Sequence, residues 1–429
     1  MTGGGLRFDP AVETSAGVSP QRPDLWSYSS LTEVEACPRR WMLTRAQYPD
    51  LWSRSGYPMM PVIAVFGDVV HSALEAILKA LIAAGCESTR VAGAAQVLRE
   101  LGGITAVVER ALKDRLARMD ENPRLNRDRG RRLGCELSDR VPEARAQVQA
   151  YLRRIGLPSG SQPKQRAAKP DRGNSGSISC PQREPIGTGA YPEITLTAGE
   201  LRLTGRVDLL TVADAVVRIT DYKTGAEDPS HLDELRTYAL LWRLDRAANQ
   251  SGRKVTDLMV TYPSREVSVP APADEELWEF GQTFETRIAA ADTELAAAIP
   301  TAVTREDACG FCQVRQLCGE YWEQVVPNPD RVSPGGWFDY QGIVGPQNGV
   351  RSCWMMSRRT GKRELLLRTP SPSTVLTSGS QIRVLGIRLD NDLEVDVVIG
   401  AVSASSEVFV VTDANAASAR IGVEGRHCN

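Results

Sequence analysis

Two short stretches carry the strongest chemical signal: Gly205-Arg206-Val207-Asp208 and Asp221-Tyr222-Lys223-Thr224-Gly225. The first lies in a segment that alternates apolar and polar residues and the second ends a β-branched one, both the mark of a β-strand. Residues two apart in a strand share a face, so Asp221 and Lys223 project together. Asp208, on an antiparallel neighbour, can face them. Two carboxylates and an ammonium on one face are costly unless something binds there. A divalent cation meets that cost, and oxygen ligands of this kind suit Mg2+ or Mn2+. The lysine can then orient a water or steady charge developing on a phosphate. A surface hairpin with an ordinary Asp–Lys pair satisfies the same short pattern, so other residues must decide.

Three groups bear on that choice. His71 stands in Gly67-Asp-Val-Val-His71-Ser-Ala-Leu74, an amphipathic helical stretch. Imidazole readily joins carboxylates around a metal, although a lone helical histidine is often structural. Glu193 opens the strand before that of Asp208, either solvated or as a third carboxylate. Glu234 and Tyr238 lie four apart on the helix after Lys223 and share a face. A second constellation is Cys309-Gly-Phe-Cys312-Gln-Val-Arg-Gln-Leu-Cys318 together with the distant Cys37. Four thiolates can hold Zn2+ or a four-iron four-sulfur (4Fe-4S) cluster, and their chemistry alone does not separate the two. One such link would join the N-terminal helix to a segment beyond the last long helix and close a very long loop.

The elements that must position these groups are legible by period. Helices are predicted from Ser27 to about Cys37, over 67–84, over 91–119, over 231–248 and over 273–298. Strands are predicted at 193–197, 200–210, 215–222 and 254–262. Residues 1–24 read as a mobile tail, 156–190 as a flexible insertion and 326–336 as a linker. The core then spans 25–325, and 337–429 reads as a small separate β-domain, barrel-like and possibly OB-like or SH3-like.

Composition bounds the function. With 429 residues, 42% hydrophobic and 24% charged, the chain is an ordinary globular protein of two or three domains. No apolar run is long enough for a membrane span, since 61–82 is cut by Asp68, His71, Glu75 and Lys79. The N-terminus lacks the pattern of a signal peptide, and nine cysteines, an odd number, point to a reducing, cytoplasmic setting. A net charge of −2 means that any basic surface is local. Residues 121–175 hold 13 Lys or Arg against six acids, as a second basic contact or, the favoured reading, a disordered linker. Residues 350–368 carry Arg351, Arg358, Arg359, Lys362, Arg363 and Arg368 against one acid, with Trp337, Phe338, Tyr340 and Trp354 nearby. Arginines interleaved with aromatics on a small β-domain suit single-stranded DNA through phosphate contact and base stacking. The alternative is aromatics that fill a core beneath solvated arginines.

Seven motifs stand in order: Cys37-Pro-Arg-Arg-Trp41, Gly67…His71, Glu193, Gly205…Asp208, Asp221…Gly225, Tyr238, and Cys309…Cys318. The chain thereby resembles, over about 25–325, the RecB-like branch of the PD-(D/E)XK nuclease superfamily. That branch includes AddB-type nuclease domains and the CRISPR adaptation nucleases with iron–sulfur clusters. The resemblance implies an α/β fold with a restriction-endonuclease-like core, a mixed sheet flanked by helices, and metal-dependent hydrolysis of DNA. By position it implies metal ligation by His71, Asp208 and Asp221, with the Tyr222 carbonyl as a further ligand. It also implies Glu193 as an acidic partner near the metal, Lys223 as catalytic lysine and Tyr238 on the DNA-contacting helix. Cys37, Cys309, Cys312 and Cys318 would hold a structural 4Fe-4S cluster. The family's helix motif is Q-x-x-x-Y; Glu234 replaces the glutamine here, and an acid repels phosphate. The chain carries no G-x-x-x-x-G-K-(S/T) motor motif. It is therefore expected to act beside a separate helicase or defence-complex subunit, in DNA repair, recombination or phage defence. The substrate expected is DNA, single-stranded or with free ends. Two rivals remain: a non-catalytic DNA-binding scaffold, which Asp208, Asp221 and Lys223 disfavour, and a zinc-stabilised interaction protein.

Overall fold

A computed structural model describes residues 6–8, 20–49, 51–59, 62–125, 127–158, 184–370, 376–390 and 397–411. In chain order the elements begin with β1 (Leu6–Phe8), α1 (Tyr28–Ala36), α2 (Pro38–Arg45) and α3 (Val62–Ala83). Next come α4 (Ala92–Glu100), α5 (Gly103–Met119), α6 (Arg127–Asp139) and α7 (Val141–Arg154). The central part holds β2 (Gly189–Ala198), β3 (Leu203–Val212), β4 (Val217–Tyr222), α8 (Ser230–Leu244), β5 (Asp257–Thr261), β6 (Glu266–Pro270) and α9 (Asp274–Ala296). After the short α10 (Glu306–Cys309) come β7 (Trp337–Gln347), β8 (Ser352–Met356), β9 (Arg363–Arg368), β10 (Gln381–Leu389) and β11 (Ile399–Val411).

Several expectations need correction. The helix predicted over 91–119 is two, broken at Gly102 and Gly103, whose φ angles of +82° and +85° leave the right-handed helical region. The stretch 121–175 is not simply a linker, because 127–154 folds as α6 and α7. Their apolar residues Leu133, Leu137, Val148, Tyr151 and Leu152 are buried against α3 and α5. Strand β6 was absent from the period reading. The tail expected over 1–24 holds β1, which pairs in parallel with β11, Leu6 to Phe409. The long β11 offers that unpaired edge beyond the part that meets β9. Most of the insertion expected over 156–190 lies outside the described residues.

The first sheet runs β2-β3-β4-β5-β6, antiparallel except for the parallel β4–β5 pair. That parallel step needs a crossover, and α8 is in it. One face packs on α1, α2, α8 and α9, with Trp26, Leu31, Leu210, Leu240, Trp242 and Phe284 in the core. The other lies under α3, α5 and α7, meeting them through Ala190, Leu209 and Tyr222. The mixed sheet flanked by helices is that of a restriction-endonuclease-like α/β core, and a second, C-terminal sheet follows it.

Strands β7–β11 close on themselves in the order β7-β8-β9-β11-β10 and back to β7, with β9 and β11 parallel. Phe338, Tyr340, Met355, Leu365, Leu367 and Ile382 fill the interior. The barrel is also fastened to the first unit, because Leu385 and Phe409 belong to that unit's hydrophobic cluster. The buried Arg124 pairs bidentately with Glu407 of β11 and donates to the carbonyls of Pro58 and Gln313. Asp339 accepts from Arg315 at 2.6 Å, from Tyr321 at 2.7 Å and from the Gly386 N–H at 2.7 Å.

Candidate active site

The site forms where the sheet is irregular. The β2–β3 ladder pairs every residue from Gly189–Val212 to Ala198–Leu203 except Glu193 with Asp208. Glu193 has φ +55°, a left-handed conformation that costs a non-glycine residue roughly 1–2 kcal/mol. Across that break the core-facing residues of β3 shift from Val207 to Leu210, an odd interval, so the strand changes face at Asp208. Extending the β3–β4 register by one residue sets Asp221 opposite Asp208. Asp208 Oδ2 also accepts from the Tyr222 N–H at 2.7 Å.

α3 brings His71 over this break, its Nδ1 3.6 Å from Asp208 Oδ1. Its approach depends on Gly67, where a Cβ would sit 3.1 Å from Thr224 Oγ1. His71, Glu193 and Asp208 each offer a ligand atom within 4.8 Å of the others. Arg206 neutralises part of Glu193, Nε to Oε2 at 2.5 Å. Lys223 follows the end of β4. The N–H of Lys223 donates to Thr261 O, and its carbonyl accepts from Tyr151 OH at 2.9 Å. Its Nζ lies 2.6 Å from Glu234 Oε2 and 3.0 Å from Asp221 Oδ2. The first is a hydrogen bond; the second is an ion pair without hydrogen-bond alignment, so Asp221 Oδ2 is buried beside the ammonium with no hydrogen-bond partner. Tyr238 donates to Glu234 Oε1 at 3.0 Å. The glycine of the Gly205…Asp208 motif makes this possible: a Cβ there would come within 2.9 Å of the Tyr238 ring.

Electrostatics show a site loaded with negative charge. Burial first, then the Asp208 charge, pushes Glu193 up to about 7. Burial also raises Asp221, with Asp208 adding and Lys223 opposing. On His71, burial works against charge, but Asp208, Asp221 and Glu193 outweigh it and the pKa rises. Burial likewise disfavours charge on Lys223, and Asp221 and Glu234 overcome it, so the ammonium is held well above its ordinary pKa. A divalent cation fits this set: three clustered ligand atoms, an orphaned carboxylate oxygen, and carboxylates that burial and mutual repulsion leave under-compensated.

The structure thus brings His71, Glu193, Asp208, Asp221, Lys223 and Tyr238 to one place. The Tyr222 ring points away from Asp221 and Lys223, buried beside Tyr151 under α3 and α7. Sequence reasoning missed His231, which lines the same cleft of about 240 Å³ and has Nδ1 2.8 Å from Tyr262 OH. Its place at the start of the Glu234 helix was the available signal.

Cys37, Cys309 and Cys312 approach one another at a second place, although among the described residues no three cysteine sulfurs lie within 4.8 Å of one another. Cys37 caps α2, accepting from the Arg40 N–H. Arg39 carries that helix to the later segment through Pro300 O and a two-pronged bond to Glu320. Cys309 Sγ accepts from the Arg305 N–H, and the Cys318 thiol approaches Glu320. Burial raises the Cys312 thiol, and the neighbouring Cys37 and Cys309 push the same way. On the barrel, Arg351, Arg358 and Arg359 are exposed, and Trp354 is half-buried beneath the Arg363 guanidinium at 4.8 Å. Phe338 and Tyr340 are core residues, as the plainer reading of the aromatics had it.

The pattern defining the PD-(D/E)XK nuclease superfamily matches residues 25–319, which hold this entire site. The chain belongs to the PD-(D/E)XK nuclease superfamily. Members of that superfamily are phosphodiester hydrolases that use divalent metals, and the His71–Glu193–Asp208 group is a possible acidic metal site of that kind. A search of curated proteins finds no match. Two solved structures are similar in part. One, described as the crystal structure of SSO0001, is 16% identical over 30% of this chain and 60% of its own, with a TM-score of 0.19. The chain thus spans about three-fifths of that protein's length. The other, described as a murine DNA binding protein bound with double-stranded DNA, is 9% identical over 53% of this chain and 94% of its own, also at 0.19. At that score neither carries an argument. Among the described residues, no helix of this superfamily member is long and apolar enough to cross a membrane.

Proposed function

We propose that this chain is a RecB-like, Mg2+- or Mn2+-dependent deoxyribonuclease of the cytoplasm. The observation that carries the reading is the convergence of His71, Glu193 and Asp208 beside an orphaned Asp221 oxygen and a paired Lys223. His71, Asp208 and Asp221 would hold the cation, with Glu193 alongside and the Tyr222 carbonyl as a further oxygen. A bound divalent cation supplies charge neutralisation at the phosphate and a more acidic water. Lys223, kept charged by two carboxylates and fixed through its backbone by Tyr151 and Thr261, orients the attacking water and faces the charge that builds on the phosphate.

Two further assignments belong to the same proposal. Cys37, Cys309, Cys312 and Cys318 hold a structural 4Fe-4S cluster; the approach of Cys37 to Cys309 and Cys312 from the far end of the chain and the Arg39–Glu320 bond beside them support it. The C-terminal barrel is an OB-like module for single-stranded DNA or DNA ends. Its first strand lies between the second and fourth, and its third and fifth strands run parallel, which supports that reading. Trp354, Arg351, Arg358 and Arg359 would contact DNA there, and Tyr238 at the core. A separate helicase or defence-complex subunit would supply the motor.

The test is digestion of end-labelled single- and double-stranded DNA with Mg2+ or Mn2+. Asp221→Asn, which keeps shape and loses charge, should abolish cleavage. Lys223→Ala should lose rate yet still bind the cation. Full activity in Asp221→Asn refutes the assignment.

A further inference from the structure

One carboxylate faces the site from outside the group that could hold a cation. Glu234 Oε2 accepts from Lys223 Nζ at 2.6 Å, and Oε1 accepts from Tyr238 OH at 3.0 Å. Asp221 Oδ2 lies 3.0 Å from the same ammonium, yet it is buried without a hydrogen-bond partner. The directional bond of the lysine goes to Glu234, and Asp221 keeps an unused oxygen.

We propose that Glu234 is a positioning residue that holds the Lys223 ammonium so that Asp221 Oδ2 stays open to a divalent cation. This rests on the metal-site part of the proposed function. An ammonium has three donors and bonds to whichever carboxylates it can reach. With Asp221 alone in reach, it would turn an N–H onto the orphaned oxygen and relieve the cost of leaving that atom unpaired. The same lone pairs would then be lost to a cation. Glu234 supplies the better-aligned partner. Tyr238 decides which oxygen does so: its hydroxyl occupies Oε1 and leaves Oε2 to the lysine. A glutamine at 234 can still accept from the lysine through its carbonyl oxygen and donate to the Tyr238 oxygen, but without the carboxylate charge it holds the ammonium less strongly.

The test uses the full chain, with Mn2+ calorimetry in the absence of DNA and single-turnover cleavage. Glu234→Ala should weaken Mn2+ binding about tenfold and slow cleavage about tenfold or more, the range seen when a residue that orients a metal site is lost. Glu234→Gln, which keeps the shape, should move both in the same direction by less. In a Lys223→Ala background, Glu234→Ala should leave Mn2+ affinity within about twofold, because the lysine through which it acts is gone. A residue that merely supported the fold would change melting temperature and show the same loss in both backgrounds. Wild-type Mn2+ affinity in both Glu234 variants, or an undiminished loss in the Lys223→Ala background, overturns the proposal. So does a wild-type protein that binds no Mn2+. A wild-type protein that binds Mn2+ but cuts no DNA refutes the nuclease reading alone, and calorimetry on the variants still decides the role of Glu234.

Discussion

Replacing Gly205 with alanine probes the tightest junction between packing and chemistry. The added Cβ would meet Leu241 Cδ1 at 2.7 Å and Tyr238 Cε1 at 2.9 Å, inside the roughly 3.5–4.0 Å at which carbons rest. Both contacts lie on α8, so the helix must retreat from β3 or the two side chains must leave their rotamers. Overpacking of this kind costs about 1–3 kcal/mol, and the lower backbone entropy of alanine in a strand returns about 0.5–1. The net loss is about 1 kcal/mol within a range of about 0–2.5, or a fall in melting temperature of about 2 °C for a core of roughly 300 residues. The rate should fall further than stability implies. Tyr238 leads to Glu234 and Glu234 to Lys223, by bonds of 3.0 and 2.6 Å. A shift approaching 1 Å in that line can cost about 100-fold in rate. Thermal melts and single-turnover cleavage of end-labelled DNA at saturating Mn2+ check both. Leu241→Val in the same chain should recover stability more than rate, because the Tyr238 contact persists. Unchanged melting temperature and rate, or lowered stability with full rate, would refute the link between Gly205 and Lys223.

Three other outcomes are expected. Glu193, raised to about 7 from an ordinary 4.5, holds its proton in the folded state where the unfolded chain has lost it. The metal-free fold should therefore lose stability as pH rises from about 4.5 to about 7. Mn2+ needs the ionised carboxylate, so the rise in melting temperature it causes should be larger at pH 8 than at pH 5, and Glu193→Gln should flatten that difference; equal rises in the wild type contradict this. Cys312→Ala should lower the iron content of anaerobically purified protein, admit proteolysis between 300 and 325, and reduce activity through lost stability; zinc in place of iron in the wild type would refute the cluster and leave the clasp. On the barrel, Trp354→Ala should weaken single-stranded DNA binding with little change in its salt dependence, whereas Arg358→Ala with Arg359→Ala should reduce the salt slope by roughly one to two units. Unchanged affinity in both would assign the barrel to protein docking.

Much of this molecule was legible in its sequence for a local reason. Strand and helix periods are set by neighbours two to four residues away, so the Asp208 and Asp221 strands, the His71 helix and the Glu234–Tyr238 face could be read directly. The acidic and cysteine motifs named the residues, and their order pointed to the superfamily that the match over 25–319 shows. Where a local signal was overridden, as in the helix over 91–119, consecutive glycines at positive φ were the cause.

Tertiary structure decided which atom meets which. Nothing in D-x-K says that the lysine bonds to Glu234 and leaves an Asp221 oxygen without a hydrogen bond; that depends on how closely α8 packs on β3, which the missing Cβ of Gly205 allows. The left-handed turn of Glu193 coincides with a register break between two strands, and His231 lines the cleft while bonding Tyr262 from a distant strand end. The barrel looked separate because a Pro- and Gly-rich stretch precedes it. Yet Arg124 reaches Glu407 across 283 residues and Phe409 enters the first core. Contacts at that separation depend on complementary surfaces of two folded sheets, and no local pattern encodes them.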